Sequence, residues 1–360
     1  LTAATLALGI ATLTGCSSSD DEEELVLPEI VNQFETDIIW QESIGDGVEH
    51  YFSRLTPAVH NDVVYVANRE GEVEALSLEN GDTLWQTDVR ENPAFWPWES
   101  TESAKLSGGI LQAYGKIFVG SEHGYLTALD RETGEIAWRK TMPGEVLSKP
   151  AAGDGLVFVN LGSGKLLAVH PDTGEERWRF EQEVPPLTLR GQSSPTVANG
   201  GVLLGLETGR LSVLISENGY SAWSAEIATP KGASEFERLV DVDTQALISG
   251  PYAYAIAYNG NLAAVDIRSG NVVWKREYSS YREIAMDAQT IYLVDSEGVI
   301  YALDKNSGIE RWSQPALRGW YLTGPAVAGS HLALGDQEGN LHWLNKDTGE
   351  LVSREEFDSS

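Results

Sequence analysis

One cysteine, Cys16, stands in 360 residues, so the chain can form no internal disulfide. Basic side chains are also scarce: 25 Lys and Arg face 54 Asp and Glu, for a net charge of −29. Nucleic-acid binding needs clustered Lys and Arg to displace counterions, and adhesion to anionic lipid needs the same, so both are disfavoured. The excess acid keeps the protein soluble by self-repulsion and names no partner. The six histidines, His50, His60, His123, His170, His331 and His342, never fall three to five residues apart, as helical or finger-type metal ligands do. No Gly-x-Ser-x-Gly elbow occurs, and Gly162-Ser163-Gly164-Lys165 lacks the leading Gly and the following Ser or Thr of a phosphate loop. Asp241 and Asp243 are spaced like the first ligands of a calcium loop, but the third position is Gln245 and no Gly follows. No nucleophile, base and orienting group come together, so no catalytic residue, metal site or cofactor is expected.

What is present is apolar material. The chain is 42% hydrophobic, with 11 Trp and 13 Tyr, enough for a sizeable core and unlike a disordered acidic protein.

Leu1 to Gly15 is uncharged and apolar or small, and shorter than the ~20 residues a bilayer-spanning helix needs. It reads as the apolar part of a signal peptide that has lost its first residues, since neither Met nor a basic start precedes it. Leu13-Thr14-Gly15-Cys16 resembles the lipobox of bacterial lipoproteins. That resemblance implies cleavage before Cys16, acylation there, and a stable anchor of several acyl chains. Ser17 at the next position then implies sorting to the outer membrane. An ordinary secretory signal with an incidental cysteine is the plainer alternative. Residues 16–37 are expected to form the lipidated Cys and a flexible acidic tether, because Asp20, Asp21, Glu22, Glu23 and Glu24 repel one another.

From Gly71 onward one pattern recurs. A Gly is followed by an apolar residue at two, a mostly small one at four, Leu or Val at five, a second Gly at ten and Trp at fourteen. Copies start at Gly71, Gly124, Gly164, Gly209, Gly260, Gly298 and Gly339; the first six end at Trp85, Trp138, Trp178, Trp223, Trp274 and Trp312, and the seventh has Ser353. Such a triplet should arise about 0.1 times by chance in this composition. The period of about 45 residues suits one four-stranded propeller blade per copy. Runs such as Leu126, Ala128 and Leu129 are apolar on both strand faces, as a strand covered from both sides must be. The second Gly follows Asn, Thr or Ser and suits a hairpin with a bulge, and the Trp is expected to fill the widening wedge between blades.

A short β-rich run precedes each first Gly, from Val63 to Val66 in the first copy to Leu332 to Leu334 in the seventh. Trp40, after Ile38 and Ile39, looks like an eighth closing strand. The expected fold is therefore all-β: an eight-bladed β-propeller of four-stranded antiparallel blades over residues 38–360. Its last blade is expected to be incomplete in this sequence, which would stop about 30 residues short. A seven-bladed ring with the Trp40 strand as an extra edge is the alternative.

Function on a rigid scaffold usually lives in its longer connections, here those after Trp85, Trp178 and Trp223. Residues 179–194 carry Pro185, Pro186, Leu187, Leu189 and Arg190, and residues 224–247 carry Glu235, Arg238, Leu239, Asp241 and Asp243. Joining consecutive blades, the two emerge side by side. Leucines in a Pro-stiffened loop beside an Arg make a small interface hot spot; equally, the leucines could cover the core while Arg190 pairs with Asp241 or Asp243. Phe95, Trp96, Pro97 and Trp98 form an aromatic cluster that suits either a channel cap or a ligand contact.

The closing-Trp repeat resembles that of pyrroloquinoline-quinone enzymes. The whole chain is similar to the outer-membrane assembly lipoproteins built on that repeat, through Asn32-Gln33-Phe34, Leu187-Thr188-Leu189-Arg190-Gly191, Asp241-Val242-Asp243-Thr244 and Tyr258-Asn259-Gly260-Asn261-Leu262. The enzymes use a vicinal cysteine pair that a single Cys cannot supply. The lipoprotein resemblance implies a non-enzymatic scaffold of the β-barrel assembly (BAM) complex at the periplasmic face of the outer membrane. It would dock on the POTRA modules of BamA through Leu187, Leu189, Arg190, Asp241 and Asp243, and help deliver unfolded outer membrane protein precursors. Exposed blade edges could hold those precursors by β-augmentation. A small quinoprotein dehydrogenase or a periplasmic ligand-binding propeller is the competing reading.

Overall fold

The computed structural model describes residues 25–45, 51, 53–91, 102–182, 184–189 and 191–357. Among these, 28 strands form seven separate four-stranded sheets, each an antiparallel meander in sequence order. The blades span 58–88, 111–141, 151–181, 196–226, 247–276, 285–314 and 326–356. The second and third strands of each blade carry its buried residues; Val157, Phe158 and Val159 are each fully buried although they alternate faces. Apolar clusters lie between blades: Leu126, Ala128 and Trp138 of the second pack with Val157, Val159 and Leu161 of the third. The core is thus a series of interfaces between neighbouring sheets. No helix among the described residues is long and apolar enough to cross a membrane.

The repeat glycines and tryptophans form one interlocking contact. The Trp85 indole N–H donates to the Arg131 carbonyl at 3.0 Å, in the last turn of the next blade. Trp138 reaches Pro171 at 2.9 Å, Trp178 reaches Ser216 at 2.9 Å, and Trp223 reaches Ile267 at 2.7 Å. Trp274 and Trp312 repeat the bond to Lys305 and Lys346. Beneath each indole lies the second Gly of the next copy, at positive φ; Gly134 has φ +74°, and a Cβ there would stand 2.6 Å from the Trp85 ring. Only glycine satisfies both the left-handed backbone and the close approach of the ring. A register shift between Ala128 and Leu129, where the strand pairs with Trp138, supplies the expected bulge, and it recurs in every blade.

The structure corrects the expected eight blades to seven. Residues 25–45 contain no strand, so Trp40 does not lie on an eighth outer strand. Its indole makes the same contact as the others, donating to the Leu78 carbonyl at 2.9 Å and covering Gly81 of the first blade. The residues before it lie along the outer edge of the seventh blade: Gln33 N–H donates to Val352 O at 2.8 Å, and Ser353 Oγ to Phe34 O at 2.7 Å. The seventh copy lacks its Trp because a large and a small residue have exchanged strands. Ala128 faces Trp138 and Ala168 faces Trp178, but Trp343 faces Ser353. Phe34 packs on Trp343 at 5.8 Å between centroids and on His331 at 4.9 Å.

Substitution separates the two demands on the turn glycine. Gly155, at φ +77°, has nothing within 4 Å of a built Cβ, so Gly155→Ala carries the backbone strain alone, about 1 kcal/mol. Gly134→Ala adds overlap with the Trp85 ring and should cost roughly 1–3 kcal/mol more. Parallel urea denaturation of both variants checks this; equal losses would contradict the contact.

Candidate functional site

Two of the long connections meet at the axial side of the fourth and fifth blades. The first leaves the outermost strand Glu176–Glu181 and returns at Thr196–Ala198; the second leaves Ser221–Glu226 and returns at Leu247–Ser249. Pro185 and Pro186 restrict the first segment, after which Leu187 and Leu189 lie half-buried. Asp241 and Asp243 are buried, 1% and 4% exposed, beneath this loop. The Leu189 N–H donates to Asp241 Oδ2 at 2.6 Å, a charge-assisted bond that ties the two loops together. At Gly191 a Cβ would stand 3.1 Å from Asp243 Oδ2, so the chain passes closely over this carboxyl.

The loops are anchored to the sheets by short polar side chains. Ser193 Oγ donates to Thr244 O at 2.9 Å and accepts from Gly205 N–H at 3.1 Å; Asn160 Nδ2 donates to Ser193 O at 3.0 Å. Gln192 Nε2 donates to Leu161 O at 2.7 Å and lies 3.4 Å from Glu207 Oε1. Asn259 Nδ2 donates to Leu239 O at 3.1 Å, fixing the second loop just before Asp241. Toward the axis, Gln245 N–H donates to Glu283 Oε2 at 2.8 Å, and Glu283 Oε1 pairs with Arg54 Nη1 at 2.6 Å.

Three carboxyls crowd this place. Burial pushes Asp243 up to about 7, helped by the charges of Asp241, Glu207 and Glu283 and opposed by Arg54. Burial also raises Asp241 to about 6, against the stabilising Leu189 N–H, and it raises Glu207. Among the described residues Asp241 Oδ1, Glu207 Oε2 and Gln192 Oε1 are buried without a hydrogen-bond partner, in keeping with the burial that disfavours the charged form of the two carboxyls. No group of three or more His, Cys, Asp or Glu among the described residues is placed to hold a metal ion.

The structure therefore brings Leu187, Leu189, Asp241 and Asp243 together, with the leucines above and the carboxyls below. Arg190, Cys16 and the Phe95, Trp96, Pro97 and Trp98 cluster lie outside the described residues. Gln192, Glu207, Arg54 and Glu283 also belong to the network, outside every motif described above. A signal for part of the network exists: a Ser or Thr recurs three residues before an innermost strand, at Ser148, Ser193, Thr244 and Thr323.

The seven meander blades closed by the Gly, Gly, Trp repeat define a propeller of the pyrroloquinoline-quinone-like class. Comparison with known proteins narrows it. The family model described as "Outer membrane protein assembly factor BamB" matches residues 30–95, 97–314 and 296–360. The BamB of Alteromonas naphthalenivorans is 46% identical, covering 97% of this chain and 87% of that protein. That of Escherichia coli K12 is 42% identical, covering 98% and 90%. The chain belongs to the BamB family of outer membrane protein assembly factors. The crystal structure of BamB from Moraxella catarrhalis superposes with a TM-score of 0.77 at 25% identity, covering 84% of this chain and 88% of that one. The quinohemoprotein alcohol dehydrogenase of Comamonas testosteroni superposes at 0.69 with 14% identity, covering 84% and 67%, a likeness of fold alone. The chain thus stands with non-enzymatic assembly factors.

The raised carboxyls give stability a definite pH dependence. A folded-state pKa above the unfolded value of about 3.9 means the folded chain holds extra protons between about pH 4 and 7. The stabilisation they give is full below that window and is lost as pH rises through it. Asp243→Asn removes one such group, so its melting temperature relative to the parent should rise from pH 5 to pH 8. Thermal scans at both pH values check this; a constant difference would refute it.

Proposed function

We propose that the chain is a non-enzymatic scaffold of the BAM complex, anchored by acylated Cys16 at the periplasmic face of the outer membrane and docked on the POTRA modules of BamA. The observation that supports the docking site is the bond from Leu189 N–H to the buried Asp241 carboxyl, which fixes the Leu187 to Leu189 segment over the second loop. Two half-buried leucines on a pinned, proline-restricted loop offer an apolar anchor with little entropy left to lose. Arg190 follows directly and supplies the charged contact. Asp241 and Asp243 act from beneath, holding the loop in place.

The precursors are unfolded outer membrane proteins, met at the blade edges. Six outermost strands, from Thr83–Asp88 to Glu310–Gln314, pair on one side only among the described residues, which leaves backbone donors and acceptors for an added strand. The seventh, Leu351–Glu356, is occupied by residues 32–36. Arg190→Glu tests the docking: co-purification with BamA should fall at least about tenfold, as expected for loss of an interface hot spot, with an unchanged melting temperature. Undiminished co-purification of the folded variant would remove Arg190 from the interface.

A further inference from the structure

One residue from each blade stands two positions before its innermost strand. Five of the seven are uncharged; the other two are Lys149 and Glu283. Six of the seven, Lys149 and Glu283 included, line a cavity of about 560 Å³ at the axial mouth. In a chain with 54 acidic and 25 basic side chains, this cavity inverts the balance: Arg54, Lys149 and Arg282 line it against Glu283 alone.

The cations are not equivalent. Glu283 is engaged by Arg54 and by the Gln245 N–H. Arg282 donates to the carbonyls of Leu322 and Asp295 at 2.5 and 2.8 Å, and its guanidinium lies 4.4 Å from the Tyr281 ring. Lys149 is fixed through its backbone N–H, which donates to Ser194 Oγ at 3.2 Å, yet its ammonium has neither a carboxylate nor a hydrogen-bond acceptor among the described residues. Burial alone pushes that ammonium down from its ordinary value. The Lys149 stem runs over Gly109, where a Cβ would stand 2.8 Å from Lys149 Cβ, so the second blade leaves room for it. Across the mouth, Tyr321 is held at φ +49°, a strained backbone for a non-glycine residue, with its ring exposed beside Leu322.

We infer that this axial mouth is a binding site for a carboxylate, with Lys149 as its charged contact and Tyr281, Tyr321 and Leu322 against the ligand's apolar body. A half-buried ammonium that faces a cavity without a counterion among the described residues gains from one anionic group placed beside it. One unpartnered ammonium beside two tyrosines matches a monoanion with an apolar body better than a phosphate dianion. The inference does not depend on docking to BamA; retention of BamA by Arg190→Glu leaves it standing.

Titration calorimetry of the purified soluble chain tests it. The probes are benzoate, inorganic phosphate, and an acetylated neutral pentapeptide with a free or an amidated carboxyl terminus. Benzoate should bind at one site and outmatch phosphate. Lys149→Met should weaken benzoate at least about tenfold, the size of one charge-assisted bond, while Lys149→Arg retains it. Lys149→Met should melt no lower than the parent, because it removes a half-buried charge that has no counterion among the described residues. Competition by the free-acid peptide but not the amide would identify a polypeptide carboxylate as a ligand; failure of both would confine the site to small acids. Absent benzoate binding, equal binding of phosphate, or equal affinity in folded Lys149→Met would overturn the proposal.

Discussion

This wheel depends on one contact repeated around it: in six blades an indole on the last strand lies over the turn glycine of the next sheet and donates to a carbonyl of that turn, and Trp40, off any strand, makes the same contact on the first blade. The contact joins three requirements in one place. The ring fills the outward-widening gap, its N–H satisfies a turn carbonyl, and the glycine provides the left-handed backbone without a Cβ in the way. Because each sheet is stapled to its successor, the connections that leave the wheel start from fixed points. The polar network under Leu187 and Leu189 extends that rigidity to the rim, since Ser193 and Thr244 tie consecutive blades to each other just below the loop.

Much of this was legible in the amino-acid sequence because the contact needs particular residues at a fixed separation. Gly134 and Trp138 lie on one short hairpin, so their spacing announces the turn and the closing strand directly. Blade number was not legible, because Trp40 carries the local sequence of a closing strand and makes a closing indole's contact without being on a strand. Ser353 hid the last blade's completeness in a similar way, since Trp343 across the pair carries the missing volume. Leu187, Leu189, Asp241 and Asp243 were found from loop length and residue type, which are local signals. That the carboxyls are buried supports was not visible, because burial comes from contacts such as that between Asp241 and Leu189, 52 residues apart. Arg54 and Glu283 meet across 229 residues, and no local pattern marks such a pair.

Charge is distributed unevenly over this platform. The excess of acid gives the wheel a strong net negative charge, while Asp241 and Asp243 are buried deeply enough to be pushed up to about 6 and about 7. Along the axial cavity the sign reverses, and Lys149, without a counterion among the described residues, lines it. A scaffold that presents an apolar loop at its rim and a cationic pocket at its hub can engage two different chemistries from one face, without moving either.

The central proposal is that the loop pinned at Leu187 to Leu189 belongs to the surface that grips BamA. Photo-crosslinking in intact cells tests it most directly, with a photoreactive amino acid at position 187 and, as a control, at Leu84, which is exposed on the outer edge of the first blade. The account predicts an adduct with BamA from position 187 and none from position 84. BamA adducts from position 84 with none from position 187 would place the docking surface elsewhere on the wheel and contradict it.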